Sequence, residues 1–584
     1  MKIKSRIKPY YKEIPKLLQF QFVSFVILAA ATWIVSIACS YLLGLSGKVA
    51  ITSGNLGYLF TTWQGYVIIA LLILLVLCYI AIELNALIIY CNKLLDGKEA
   101  SVFQSIKSGF ISLKKYKGIR GILLILFVVF LAPILGLGFS ISLTETFYIP
   151  NFITSVIISS PLLLTITTIV MLSLTIFAIL NCFILHGALL DNLTLKEAGL
   201  ASQKILKQNL RNFIPEMLSF IGIILLVIAI LAIVFFGIPL AIVRLIPMDE
   251  TVLIFFEIFF VSILRIIISF AMLMSISFLI IKLSILYKKY HDDKKWSYRE
   301  KAKSHHPFVI ALAITTIVAC VSFSLYGATH FNEVFNTQIT TEIVGHRAGG
   351  SDAPENTVKG IEVAYELGAT GSEIDIQRTA DGYYVINHDN DFSRVAGVNK
   401  TPAEMTLAEI KKLRIDGEPV PTLEEMLEAA RNKVTLFVEL KGSTADEQMA
   451  DDAVRIIKEM NMQDQAVIIS LNQGLIEYTE NKYPEMLTGF LAFISLGQIE
   501  NMPFDYLSLE EEISTDDVIA AIHNKGKKVT VWTVNKENDI RRFMNGNADA
   551  IVTDAISVSK EIKEQLPNRD PLEIIFQKII LSGV

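Results

Sequence analysis

Cysteine is nearly missing from this chain: 5 residues in 584, and none after Cys320. The stretch 330–584 therefore has no disulfide framework, no thiolate metal site and no thiol nucleophile. Cys39, Cys78, Cys91, Cys182 and Cys320 all lie in or beside apolar runs. Acidic side chains are scarce in the other part. Residues 1–329 hold 14 Asp and Glu against 28 Lys and Arg, while 330–584 hold 43 against 24, in a chain of formal net charge −5. Charged residues make up only 19 % of the whole, below the roughly 25 % usual for soluble domains. This asymmetry excludes a single soluble enzyme and a disordered chain, and argues for two parts in two solvents. A nucleic-acid binder is excluded as well, because no soluble part is basic.

What residues 1–329 do have is apolar length. A helix needs about 20 apolar residues to cross a hydrocarbon core of about 30 Å. Seven runs qualify, near 20–45, 66–91, 121–142, 153–188, 216–243, 251–286 and 307–327. Two of them, 153–188 and 251–286, exceed one crossing, and Pro161 or Arg265 could break them into re-entrant pieces. The first run follows the basic tail Met1-Lys-Ile-Lys-Ser-Arg6. It is too long for a signal-peptide core and no small-residue cleavage site follows, so it is expected to stay as an anchor. The tail and the loops 93–120, 189–215 and 287–306 carry 6, 7, 4 and 7 basic residues, against 1, 0 and 1 in the loops 46–65, 143–152 and 244–250. Basic loops stay cytoplasmic, so seven spans with a cytoplasmic N-terminus put everything after Gly327 outside a plasma membrane.

One repeat is visible: Leu94-Leu-Asp-Gly-Lys-Glu-Ala100 and Leu189-Leu-Asp-Asn-Leu-Thr-Leu-Lys-Glu-Ala198 each lead into an amphipathic stretch, 101–117 and 199–212. A span, an interfacial helix and a span, used twice, fit this spacing. Glu83, Glu257 and Arg265 fall within the runs, where ionisable groups serve either function or helix contacts.

From Glu342 onward, short β-branched runs alternate with helical patterns, the signature of βα units. Nine strands are expected: 343–345, 373–377, 383–387, 434–440, 467–470, 488–492, 506–509, 529–533 and 550–553. Arg378-Thr-Ala-Asp-Gly382 is too short for a crossover helix and ends in a turn dipeptide, so 383–387 should fold back as a hairpin. The other eight strands close a (β/α)8 TIM barrel. The fold expected is an all-α polytopic domain over 1–329, then an α/β TIM barrel over 330–565 with a hairpin insertion after its second strand, and a tail over 566–584.

Chemistry in such barrels sits at strand carboxyl ends. His346-Arg347, Glu373 and Asp375, His388-Asp389, and Glu439 and Lys441 all end expected strands. Residues two apart on a strand share a face, so three carboxylates converge. Carboxylates without cysteine suit one hard divalent cation, Ca²⁺ or Mg²⁺. Arg347 and Lys441 suit an anionic group such as phosphate, and two histidines can divide acid and base roles.

These segments, with Ala353-Pro-Glu-Asn-Thr357, Asp381-Gly-Tyr-Tyr-Val-Ile-Asn-His-Asp389, Pro421-Thr-Leu-Glu-Glu425, Val531-Trp-Thr-Val-Asn535 and Ala548-Asp-Ala-Ile-Val-Thr-Asp554, resemble the glycerophosphodiester phosphodiesterase family across roughly 342–560. The first 329 residues are similar to the membrane domain that accompanies this enzyme in some bacteria. The resemblance implies Glu373, Asp375 and Glu439 as metal ligands, His346 and His388 as the acid/base pair, and Arg347 and Lys441 as phosphate contacts. It also implies Trp532 on the glycerol side of the pocket, with Glu355 and Asn356 bracing the first loop. Ala348 departs from the family's usual glycine. The activity implied is hydrolysis of a glycerophosphodiester to sn-glycerol 3-phosphate and an alcohol, with membrane lipid as neighbour. Polyglycerol-phosphate or lipid-linked substrates are suggested by topology alone. Two alternatives stand beside it: a transporter or sensor whose barrel binds phosphodiesters without cleaving them, and a phosphatidylinositol-specific phospholipase type of barrel.

Overall fold

The computed structural model describes residues 2–125, 160–291, 307–335 and 338–581, with isolated positions at 153–154, 157–158 and 298. Six helices among the described residues are long and apolar enough to cross a membrane: Lys12–Gly44, Trp63–Leu95, Pro161–Leu190, Leu195–Leu245, Glu250–His291 and Pro307–Thr329. They correspond to six of the seven runs read from the sequence. The remaining one, 121–142, lies almost wholly outside the described residues. Pro161 begins its helix, with the Ser160 side chain accepting from the Leu163 amide, a position where proline's missing N–H is harmless. Arg265 sits inside one continuous helix, Glu250–His291, so it makes no re-entrant piece, and the stretch before Pro161 lies mostly outside the described residues.

These helices are apolar on their outer faces. Leu162, Leu225 and Ile310 are 69 %, 61 % and 62 % exposed, which water would penalise and lipid does not. Their buried polar groups pair with one another. Arg244 meets the buried Glu257 at 2.7 Å, the Gln21 amide donates to Ser277 at 2.8 Å, and His186 shares a hydrogen bond with Ser284 at 3.0 Å. Of the repeated amphipathic stretches, the first forms its own helix, Val102–Ser112, capped by Ser101. The second starts at a Thr194–Glu197 capping box and runs without a break into the following span, through Pro215.

By contacts, residues 39–65 and 331 onward form one compact unit, and the remaining helices form another. The first strand of the barrel unit therefore comes early in the chain: β1 (Ala50–Thr52). The barrel strands follow as β2 (Glu342–Gly345), β3 (Gly371–Arg378), β4 (Tyr384–Ile386), a small pair β5 (Arg414–Ile415) and β6 (Glu418–Pro419), then β7 (Thr435–Leu440), β8 (Ala466–Ser470), β9 (Leu487–Ala492), β10 (Ser495–Gly497), β11 (Tyr506–Glu510), β12 (Lys528–Trp532) and β13 (Ala550–Thr553). Eight of them run parallel in the order β2-β13-β12-β11-β9-β8-β7-β3, and β2 pairs with β3 to close the ring. β4 returns antiparallel on β3 as the expected hairpin, with Ile376 opposite Ile386.

Register sets which side chains face inward. Val344, Phe437, Val467, Ile469, Leu491, Tyr506, Ala550 and Val552 fill the barrel interior. Ile374, Ile376, Val438, Ile468 and Val531 alternate with these residues and pack outward with the helices. His346, Asp375 and Glu439 lie two residues beyond interior positions or pair with them, so the pleat sends them inward at the carboxyl-end rim. The tail is helical from Pro571, with Ile575 fully buried and Gln577 accepting from Arg569 at 2.8 Å.

Candidate active site

β3 and β7 pair with Asp375 opposite Glu439 and Glu373 opposite Phe437. That register brings one oxygen each from Glu373, Asp375 and Glu439 within 4.8 Å of one another, all three residues being buried. Burial pushes Glu373 well above the usual carboxylate range, and the charges of Asp375 and Glu439 push it further. Burial likewise raises Glu439 to about 7, against the pull of Lys441. Asp375 is buried too, but the Lys441 ammonium, His388, and hydrogen bonds from Lys441 and Asn356 outweigh burial and hold it below the usual range. Lys441 Nζ donates to Asp375 at 2.8 Å and to Glu439 at 3.2 Å.

Three buried atoms here have no partner among the described residues: Glu373 Oε1, Arg347 Nε and Asn356 Oδ1. Glu373 and Arg347 are linked through the main chain, the Arg347 amide donating to the other Glu373 oxygen at 2.9 Å. A buried group left unpaired is costly. An orphaned carboxylate oxygen beside two further carboxylates fits a hard cation, and an orphaned guanidinium nitrogen fits an anion. The three carboxylates thus suit a divalent ion as ligands.

The histidines flank this cluster with ring centroids 6.5 Å apart, at 82° to one another. His346 Nδ1 lies 2.7 Å from Asp554, whose other oxygen accepts from Asn535 at 2.6 Å. His388 Nδ1 lies 2.9 Å from Asp389. Arg394 bridges Asp389 at 2.6 Å and Glu355 at 2.6 and 2.8 Å, and Glu355 in turn accepts from Arg347 at 3.4 Å. Burial lowers His388 below the ordinary histidine value, outweighing the nearby carboxylates. Burial would raise Asp554, Asp389 and Glu355, but each is held low by its partners: Asp554 by the hydrogen bond from His346, Asp389 by Arg394, and Glu355 by Arg394 with Arg347.

Of the residues singled out in the sequence, Glu355, Asn356, His346, Arg347, Glu373, Asp375, His388, Glu439 and Lys441 form one contact-linked group. Asn356 braces it by donating to Asp375 at 2.9 Å. Trp532 ends β12 over the barrel interior, its indole N–H donating to the Ser508 carbonyl at 2.9 Å. Asp554 and Arg394 were not singled out, and Asp389 was named with His388 at a strand end but given no role. Asp554 stood inside a quoted motif, and its position at a strand end was the available signal.

Three buried carboxylates beside Lys441 and Arg347, between two imidazoles each held by a carboxylate, fit a barrel enzyme acting on phosphate esters. Residues 346–558 match the glycerophosphoryl diester phosphodiesterase family, and residues 3–325 match the membrane domain of glycerophosphoryl diester phosphodiesterase. A glycerophosphodiester phosphodiesterase of Caldanaerobacter subterraneus is 30 % identical over 234 residues, 37 % of this chain and 94 % of that protein. One from Bacillus altitudinis is 25 % identical over 243 residues, covering 39 % and 99 %. The crystal structure of a glycerophosphodiester phosphodiesterase from Parabacteroides distasonis aligns at 26 % identity and a TM-score of 0.36, covering 39 % of this chain and 98 % of that one. The chain belongs to the glycerophosphoryl diester phosphodiesterase family, as an enzyme that carries the family's membrane domain.

Proposed function

We propose that the protein hydrolyses glycerophosphodiesters to sn-glycerol 3-phosphate and an alcohol, with one divalent cation, Ca²⁺ or Mg²⁺, held by Glu373, Asp375 and Glu439. The observation that carries this is the cluster of three buried carboxylates, Glu373 Oε1 left without a partner among the described residues, beside an Arg347 whose Nε is likewise unpartnered. When bound, the ion neutralises charge on the phosphate and on the pentacoordinate transition state. Arg347 Nε and the third Lys441 proton, left over from Asp375 and Glu439, take non-bridging phosphate oxygens. One of His346 and His388 removes the proton of the attacking hydroxyl, either water or the substrate's own glycerol 2-hydroxyl, whose cyclic phosphate a water then opens to sn-glycerol 3-phosphate. The other protonates the departing alkoxide, and the bond from phosphorus to the alcohol oxygen breaks. Asp554 and Asp389 each fix one ring nitrogen, leaving the opposite nitrogen toward substrate. Trp532 lines the glycerol side.

The chemistry takes place at the outer face of the plasma membrane in this reading. Two facts support that orientation: the alternation of basic loops, and the pairing of β1, from the poorly basic loop after the first span, with β10 of the barrel unit. The pairing requires that loop and the barrel to share a side, so an even number of crossings separates them.

Full-length protein, supplied with a panel of glycerophosphodiesters and followed by phosphorus NMR, should release glycerol 3-phosphate. Binding without turnover across the panel would favour a sensor instead, and accumulation of a cyclic inositol phosphate would favour the phospholipase type.

A further inference from the structure

The loop between the first two spans is built into the rim of the barrel. β1 pairs antiparallel with β10, Ala50 opposite Gly497 and Thr52 opposite Ser495, and β10 lies in the segment that follows β9 at its carboxyl end. The Thr52 hydroxyl and the Asn55 amide both donate to Gln473, at 3.0 and 2.7 Å, in the segment that follows β8 at its carboxyl end. Ala50 and Ile51 are 1 % exposed and Thr52 is fully buried, and Ala50 belongs to the core cluster shared by the barrel strands and helices. The approach is too close for larger residues. A Cβ on Gly54 would stand 2.7 Å from the Leu471 carbonyl oxygen, and one on Gly497 would stand 2.6 Å from the Val49 carbonyl oxygen.

This rim is the catalytic one. Glu439 pairs with Ile469, and Ile469 with Gly489, so the ends of β8 and β9 stand at the level of the carboxylates. Among the eight barrel strands, β2, β3, β7 and β13 bring the catalytic groups. β8 and β9 lie across the ring from β2 and β13 and bring none of the groups described above. The loop packs on that half of the rim. Its chain is short: the first helix ends at Gly44, six residues before Ala50, a reach of at most about 20 Å. Leu43, in that helix's last turn, is fully buried, and a Cβ on Gly497 would lie 3.2 Å from it. At the loop's other end Phe60 and Trp63 are 66 % and 59 % exposed, as aromatics at a membrane interface are.

Resting on the function proposed above, we infer that segment 49–55 is a fixed wall of the active-site mouth, tethered by six residues to the first span, and that the substrate is a glycerophosphate ester anchored in the membrane that span crosses. The anchored alcohol leaves over the β8–β9 side while water's hydrogen and hydroxyl are divided between the two products. Gln473 and Gly54 are positioning residues in this scheme, remote from the reacting atoms.

The test compares full-length wild type with Gln473→Ala and, separately, Gly54→Val, all in nanodiscs. The probes are soluble glycerophosphocholine and vesicles of phosphatidylglycerol in phosphatidylcholine, with release of glycerol phosphate as the readout. Because surface presentation raises effective concentration, wild type should favour the vesicle substrate in kcat/KM, and each variant should lose about tenfold of that preference through KM. Turnover of glycerophosphocholine should stay within about threefold. Gln473→Ala leaves the backbone approach of the loop sterically open, so it remains informative if Gly54→Val fails to fold. Parallel losses on both probes, no loss on either, or wild-type turnover of the soluble probe alone would overturn the inference while leaving the hydrolase intact. Turnover of neither probe by wild type would instead overturn the hydrolase.

Discussion

Ala348 carries a side chain where the backbone is left-handed, with φ +71, and it is fully buried. Such backbone costs a non-glycine residue roughly 1–2 kcal/mol, yet alanine also restricts the unfolded chain by about 0.4–1 kcal/mol relative to glycine. The strain outweighs the entropy gain, so Ala348→Gly should raise unfolding free energy by up to about 1 kcal/mol in denaturant titration. Protonation of the carboxylates gives a sharper prediction. Glu439 has an ordinary value of 4.5 and is raised to about 7 by burial. A raised carboxyl contributes stability that is present below its unfolded value and is lost as pH rises through the folded one. In chelator, therefore, the barrel's Tm should fall as pH rises from 4.5 toward 7, and a divalent ion should abolish the fall, because a bound cation favours the ionised form. A third prediction concerns Asp554, which fixes His346 from 208 residues away. Asp554→Asn should lower kcat by about 10²–10⁴-fold with KM little changed, checked by steady-state kinetics. The carboxylates and histidines were legible because each ends a strand with the right alternation. Asp554 and Arg394 act through partners that only the closed barrel brings near, and alternation is silent about that.

Among elements, the loop after β2 is wedged against the helix Val358–Glu366. A Cβ on Gly360 would lie 2.9 Å from both the Ala348 Cβ and the Gly349 nitrogen. Overpacking of this kind costs about 1–3 kcal/mol, so Gly360→Ala should lower stability by that much. It should also displace the His346–Arg347 loop, seen as a joint fall in Tm and in turnover. All nine strands expected from alternation are present, and the Asp381-Gly382 hairpin folds as its short turn requires, with Gly382 at φ +84. β1, β5, β6 and β10 were not legible. Each has only two or three residues, and its partner rather than its own pattern makes it a strand. The amphipathic stretch 199–212 was read as separate, but nothing at its end caps the helix before the next span begins.

For the whole molecule, charge asymmetry and apolar length made the division of the chain legible, while the sharing of residues 39–65 with the barrel was not. No local feature of that loop marks it as a strand partner for a segment more than 400 residues away. Seven crossings, with β1 and the barrel on one side, predict a labelling pattern. In a cysteine-free background, Lys48→Cys and Lys400→Cys should react with a membrane-impermeant thiol reagent on intact cells, and Lys98→Cys should react only after lysis.

The most direct test of the central claim is activity against metal occupancy. Purified full-length protein would be stripped with chelator and titrated with Ca²⁺ or Mg²⁺, while glycerol 3-phosphate release and ion binding are followed in wild type and in Asp375→Asn. The account predicts one saturable site per chain, turnover that rises with its occupancy, and loss of both in the variant. Full turnover in chelator, or undiminished ion binding by Asp375→Asn, would contradict it.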